Sequence, residues 1–131
     1  SFVFSFQIGD GDISRITEAE VSLLVEPEKF LGIETHSLSK PDAWRKAVAS
    51  VWHREGETEA PCMYMLSTDG FANSYTSDAE FQKTCRDYFR ILREHGADAV
   101  QGNLKKWLTE TSALGCGDDI TVVMAYFTSN E

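Results

Sequence analysis

The sequence predicts an α+β fold, and three observations carry that expectation. Apolar and polar residues alternate at the start of the chain, two amphipathic helical patterns run consecutively through its second half, and a β-branched, aromatic run closes it. Strands grouped apart from consecutive helices are the pattern of this class.

The elements follow in chain order. Phe2, Phe4, Phe6 and Ile8 alternate with Val3, Ser5 and Gln7, which predicts a strand over 2–8 with its phenylalanine face buried, ended by Gly9-Asp10-Gly11-Asp12. The chain returns through Ile13 to Ile16, and Val21 to Val25 is a further short apolar run of strand type. Residues 26–43 carry Pro27, Gly32 and Pro41 and read as connecting structure, with a short extended piece at Glu34 to Leu38. Trp44, Val48, Val51 and Trp52 fall at helical spacing, yet the same stretch also alternates as a strand, and the residues alone leave both open. Arg54 to Pro61 reads as an exposed turn, and Cys62 to Ser67 as a buried strand stopped by Asp69-Gly70. Ser77-Asp78-Ala79-Glu80 is a capping box, in which the serine and the glutamate satisfy each other's free backbone N–H groups. The helix that follows buries Phe81, Cys85, Tyr88, Phe89 and Leu92 and stops at Gly96. A second helix, with Asp98 as its cap, presents Val100, Leu104, Trp107 and Leu108. Ile120 to Phe127 is expected to be a well-buried strand.

Composition narrows the function. With 131 residues, 42% of them apolar, the chain fits a single domain, 1–131. Its 12 basic and 21 acidic residues leave a net charge of −9, and no basic run with interleaved aromatics occurs, so nucleic acid and anionic membrane are poor candidate partners. Nothing approaches a membrane span or a signal-peptide core. Cys62, Cys85 and Cys116 are odd in number and widely spaced, which points away from disulfides and zinc and toward a reducing, cytoplasmic setting. Opening directly in a strand pattern, without Met, suggests a fragment of a longer protein.

Three strand-like segments share a feature. Asp10 follows the first strand, Asp69 follows strand 62–67, and Asp118 precedes the last strand, each flanked by Gly or a second Asp. Asp-Gly is also a common turn dipeptide, which accounts for any one of them. Should the last strand run antiparallel to the other two, all three carboxylates converge on one end of the sheet. Clustered carboxylates repel unless a cation neutralises them, and oxygen donors without His or Cys suit Mg²⁺ or Mn²⁺. Asp10-Gly11-Asp12 lacks the later ligands of an EF-hand loop. His36, His53 and His95 stand far apart without a nucleophile motif and read as surface residues. Cys116 lies between glycines and reads as a small residue in a turn, and Trp44, Trp52 and Trp107 as core or interface aromatics.

Ile8-Gly9-Asp10-Gly11, Glu34-Thr35-His36-Ser37-Leu38, Leu66-Ser67-Thr68-Asp69-Gly70-Phe71 and Gly117-Asp118-Asp119-Ile120-Thr121-Val122-Val123 together resemble the later motifs of the metal-dependent protein phosphatase 2C (PPM) family in its bacterial form, over essentially the whole chain. The resemblance implies part of a four-layer αββα sandwich, two antiparallel β-sheets flanked by helices, of which this chain is the C-terminal half. It implies that Asp69 and Asp118 are ligands of one of two core metal ions, Mn²⁺ or Mg²⁺, and that Asp10 helps to hold a weaker third ion. Asp119 stands where the family commonly has Asn and takes no ligand role. It also favours a strand within 44–53.

The activity implied is hydrolysis of phosphoserine and phosphothreonine on a protein substrate by metal-activated water. The family's Asp-Gly-x-Gly motif, whose Asp bridges the two metals, and its phosphate-binding Arg do not occur in these residues. The chain alone is therefore expected to bind metal weakly and to be nearly inactive. The competing reading is a degenerate module that binds or regulates a phosphoprotein without catalysis. Self-association is a further expectation, since an opening strand presents unpaired backbone groups and an apolar face.

Overall fold

The computed structural model describes residues 2–25, 39–53 and 61–128. The expected connecting structure over 26–38, with its extended piece and His36, and the turn over 54–60 lie outside the described residues. Among the described residues there are six strands: β1 (Phe2–Gln7), β2 (Asp12–Ile16), β3 (Val21–Val25), β4 (Val48–His53), β5 (Cys62–Ser67) and β6 (Val122–Phe127). Helix α1 spans Asp69–Asn73, and α2 spans Asp78–Leu114 with a break at Gly96, where φ is 82°. The break makes two helical segments of α2, as the spacing of its apolar stripes predicts.

The strands form two antiparallel sheets, β1-β4 and β3-β2-β5-β6, which with the helices make an α+β sandwich. Helices cover one face of the four-stranded sheet. Ile16, Met63 and Met65 meet Phe71, Phe81, Cys85, Tyr88, Phe89, Leu92 and Val100 there in one core. Phe71 is its aromatic hub, edge-on to Tyr75 at 5.4 Å and to Phe81 at 5.6 Å and stacked at 6.1 Å on Tyr88, which in turn stacks on Trp107. Leu104, Trp107 and Leu108 of the second segment pack against this core, as their spacing requires. Arg93 of α2 meets Glu18 of the β2–β3 hairpin at 2.8 Å.

The two-stranded sheet lies against the other face. Ser50 Oγ donates to the Leu24 carbonyl, and the Arg15 guanidinium stands 4.4 Å over the Trp52 ring. The ambiguity over 44–53 resolves into a strand: Ala43–Lys46 is a 3₁₀ turn, and the chain is extended from Val48 to pair with β1. Trp44 belongs to the turn, so it adds nothing to a helical stripe, and it is exposed instead of buried.

Three further expectations are corrected. In β1 the phenylalanine face is exposed, and the face carrying Ser5 is turned inward, toward β3. The last strand begins at Val122, two residues later than its apolar run, and alternates between half-buried and exposed residues because only the face of Val122, Met124 and Tyr126 packs against the core. The capping box closes differently. Ser77 Oγ accepts from the Glu80 N–H at 3.3 Å, but the Glu80 carboxylate reaches one residue further back, accepting from Thr76 N–H at 3.2 Å and Thr76 hydroxyl at 2.6 Å. Those bonds hold the Glu80 carboxyl below its ordinary range.

Candidate functional site

The antiparallel register puts the segments that carry the three aspartates at one end of the four-stranded sheet. Asp12 pairs with Ser67 and Ser67 with Val122, so the start of β2, the end of β5 and the start of β6 lie side by side. The turn carrying Asp10 enters β2, Asp69 leaves β5, and Asp118 approaches β6 at that end. Asp10 lies in the turn that leaves the two-stranded sheet, and β6 pairs antiparallel with β5 and not with β1.

Each segment is held by bonds that its own sequence does not advertise. Gln7 Nε2 donates to the Gly9 carbonyl at 3.2 Å and to the Gly11 carbonyl, gathering the turn around Asp10. A Cβ on Gly11 would stand 2.5 Å from the Ser67 carbonyl oxygen, so only glycine lets this turn lie on the end of β5. Thr68 N–H donates to the Thr121 carbonyl at 3.0 Å, and Thr121 N–H donates to Thr68 Oγ1 at 3.0 Å. Thr68 Oγ1 also donates to the Asp119 carbonyl at 3.3 Å. A Cβ on Gly70 would meet that same carbonyl at 2.7 Å and the Asp118 Cβ at 3.3 Å. Glycine at the first turn of α1 thus admits the Asp118-Asp119 segment against Gly70, the residue that follows Asp69.

The carboxylates make local bonds as well. Asp69 Oδ2 accepts from Asn73 Nδ2 at 3.4 Å, and Asp118 Oδ1 accepts from the Asp119 N–H at 2.8 Å. The Ser112 hydroxyl donates to the Asp118 carbonyl at 2.6 Å, tying the end of α2 to this loop. Cys116 sits in the preceding turn, exposed, with its Sγ 3.4 Å from Ser74 Oγ. His53 and His95 are exposed and stand away from this end.

Two clefts open here. One, of about 680 Å³, is lined by Asp10, Asp12 and Asp69 together with Phe6, Ile13, Leu66 and Val123. The other, of about 700 Å³, is lined by Asp118 and Asp119 with residues of the second helical segment, and Thr121 forms part of both walls. The donors are hard oxygens suited to Mg²⁺ or Mn²⁺. Among the described residues, however, no three of His, Cys, Asp and Glu stand close enough to hold one ion, so these side chains do not by themselves make a complete metal site. Arginine does not line either cleft among the described residues.

Asp12 was not singled out by motif. It is buried under the sheet on the side of the helices, and the period-two placement of Asp12, Ser14 and Ile16 on one face was the available signal. No helix of the described residues is long and apolar enough to cross a membrane.

The sequence profile of the family described as Protein phosphatase 2C matches residues 1–109 of this chain. No curated protein and no solved structure matches it.

Proposed function

The chain belongs to the protein phosphatase 2C family, and from that premise we propose that it is the C-terminal portion of a phosphatase domain that hydrolyses phosphoserine and phosphothreonine monoesters on a protein substrate. In this reading Asp69 and Asp118 contribute to one core divalent ion, Mn²⁺ or Mg²⁺, and Asp10 to a weaker one. The observation that supports it is the Thr68–Thr121 double hook, which ties the segment that carries Asp69 to the one that carries Asp118 at one sheet end. The corollary, that this chain alone holds metal weakly and turns over little, rests on the Asp-Gly-x-Gly motif that these residues do not contain. No cysteine is paired, which supports a reducing, cytoplasmic setting.

The test is Mn²⁺ binding by calorimetry, beside hydrolysis of p-nitrophenyl phosphate with millimolar Mn²⁺ and an EDTA control. Weak binding that falls in both Asp69→Asn and Asp118→Asn, with turnover near background, is the expected result. Binding untouched by either substitution removes the ligand assignment, and robust Mn²⁺-dependent turnover removes the corollary. The same missing motif also favours a second reading, a module that binds phosphoprotein without catalysis. Phosphopeptide binding that persists in EDTA and in Asp69→Asn would select it.

A further inference from the structure

The outer side of α2 gathers positive charge on a chain that is acidic as a whole. Between Phe81 and Arg93, four of the chain's 12 basic residues, Lys83, Arg86, Arg90 and Arg93, stand with a single carboxylate, Asp87. Their spacing sets them along one helical stripe, on the side opposite the buried Phe81, Cys85, Tyr88 and Leu92. That side faces away from both sheets, on the outside of the sandwich, where no further layer stacks. The charges are not balanced pair by pair. Asp87 is shared between Lys83 at 3.4 Å and Arg90 at 3.0 Å, and Arg93 is taken up by Glu18 at 2.8 Å. Arg86 is half-buried beside them and forms no ion pair among the described residues. A cleft of about 280 Å³ opens along the stripe, with all four cations in its wall and with Glu18 and Glu94 beside Arg93. Lys83, Arg86 and Arg90 are thus three cations around one carboxylate.

We propose that this stripe is a docking surface for a partner protein, and that its occupant is an acidic segment rich in Asp and Glu. A carboxylate brought to Arg86 meets a planar guanidinium whose donors are unspent, which is what a bidentate pair requires. Lys83 and Arg90 flank it one helical turn away on either side, so carboxylates next to the first find cations as well. The length suits a peptide. From Lys83 to Arg93 the helix axis rises about 15 Å, the span of four or five extended residues. Nucleic acid fits less well, because Phe81, Tyr88 and Phe89 of this stretch lie in the core and offer no ring for a base to stack on. The net charge of −9 also opposes a long polyanion. A short segment escapes that repulsion: at about 0.1 M salt, screening over about 10 Å leaves it to feel chiefly the local cations.

Fluorescence anisotropy of a labelled hexaglutamate peptide, titrated with the whole 131-residue chain at about 0.1 M salt, tests the proposal. Saturable binding that hexaglutamine does not share is expected. Arg86→Glu is expected to weaken it by about tenfold or more, the worth of one charge-assisted contact. Lys106→Glu makes the same change of net charge on the second helical segment, where Lys106 faces Glu110, and is expected to leave binding unchanged. None of the four cations of the stripe, nor Lys106, lines an aspartate cleft. Far-UV circular dichroism checks that each variant keeps its helices; should Arg86→Glu lose them, Arg86→Gln and the exposed Arg90→Gln carry the test. Absence of saturable binding overturns the proposal. So does binding that Arg86→Glu leaves intact or that Lys106→Glu weakens equally. Tighter capture of a single-stranded oligonucleotide or of phosphatidylserine vesicles than of the peptide, at the same salt, overturns the assignment of a protein segment as the occupant.

Discussion

Thr68 and Thr121 are joined twice, once by each residue's backbone N–H, with the second bond ending on the Thr68 hydroxyl oxygen at 3.0 Å. The two residues stand at the end of β5 and the start of β6, next to Asp69 and Asp118. Thr68→Val keeps the shape of the side chain and the backbone bond while removing the hydroxyl. The hydroxyl accepts from Thr121 N–H and donates to the Asp119 carbonyl, so two bonds go, and we expect a loss of about 1–3 kcal/mol, read from the urea midpoint at unchanged slope. No measurable change would mean that water replaces the hydroxyl without cost.

Gly70→Ala should be more damaging than its size suggests. The new methyl would stand 2.7 Å from the Asp119 carbonyl oxygen, which is backbone and cannot swing aside. The expected cost is about 2–3 kcal/mol, the range for forcing atoms into a packed contact. Shifts of the Asp118 and Asp119 amide resonances should accompany it. A variant as stable as the parent, with those resonances unmoved, would show that the loop is not held against α1.

Ser14 is fully buried, and its hydroxyl has no hydrogen-bond partner among the described residues. Removing an unsatisfied hydroxyl relieves its desolvation cost, so Ser14→Ala is expected to stabilise the chain by about 1 kcal/mol. A fall in thermal midpoint on this substitution would point instead to an ordered water bound at Ser14.

Burial pushes the Cys85 thiol up to about 12, and the Asp12 carboxylate adds to the rise. A group whose pKa is higher in the folded state contributes stability that is full below its unfolded value, near 9, and is lost as pH climbs toward the folded value. Stability should therefore decline above about pH 9, by up to about 1.4 kcal/mol per pH unit for this one proton. Burial raises Tyr75 and Tyr88 as well, and their contribution adds to the decline above 10. In Cys85→Ala the part of the slope that sets in first should disappear, whatever the substitution costs at neutral pH. Native-state thiol labelling should reach Cys116, which is exposed, and spare Cys85.

Much of this was legible in the residues themselves. Alternation located β1, the turn after it placed β2, a compact apolar run located β5, and the stripe of Phe81, Cys85, Tyr88, Phe89 and Leu92 located the first segment of α2, because all these patterns are local. Alternation could say that the Phe2, Phe4 and Phe6 face is apolar, but not whether this chain covers it, since the cover is set by packing between sheets. Val122 to Phe127 looked interior because its composition is that of a central strand, whereas its place at the sheet edge follows from topology. Aspartates at strand ends pointed to Asp10, Asp69 and Asp118. The Thr68–Thr121 hook and the Gln7 bonds around the turn left no trace in the pattern, because each joins a side chain to a backbone group whose nearness only the fold creates.

The pairing of Phe2 with His53 has a kinetic side. The hairpin of β2 and β3 closes over a few residues, but β1 must find β4 across almost all the chain between them. Closure over so long a span is entropically slow, and strand pairs of this kind form late. Until they form, the phenylalanines of β1 are free to meet the wrong surface, at the edge of β6 or on another nascent chain. The yield of refolding should consequently depend on protein concentration far more steeply than the stability of the finished molecule does, with β1 as the segment that decides the partition.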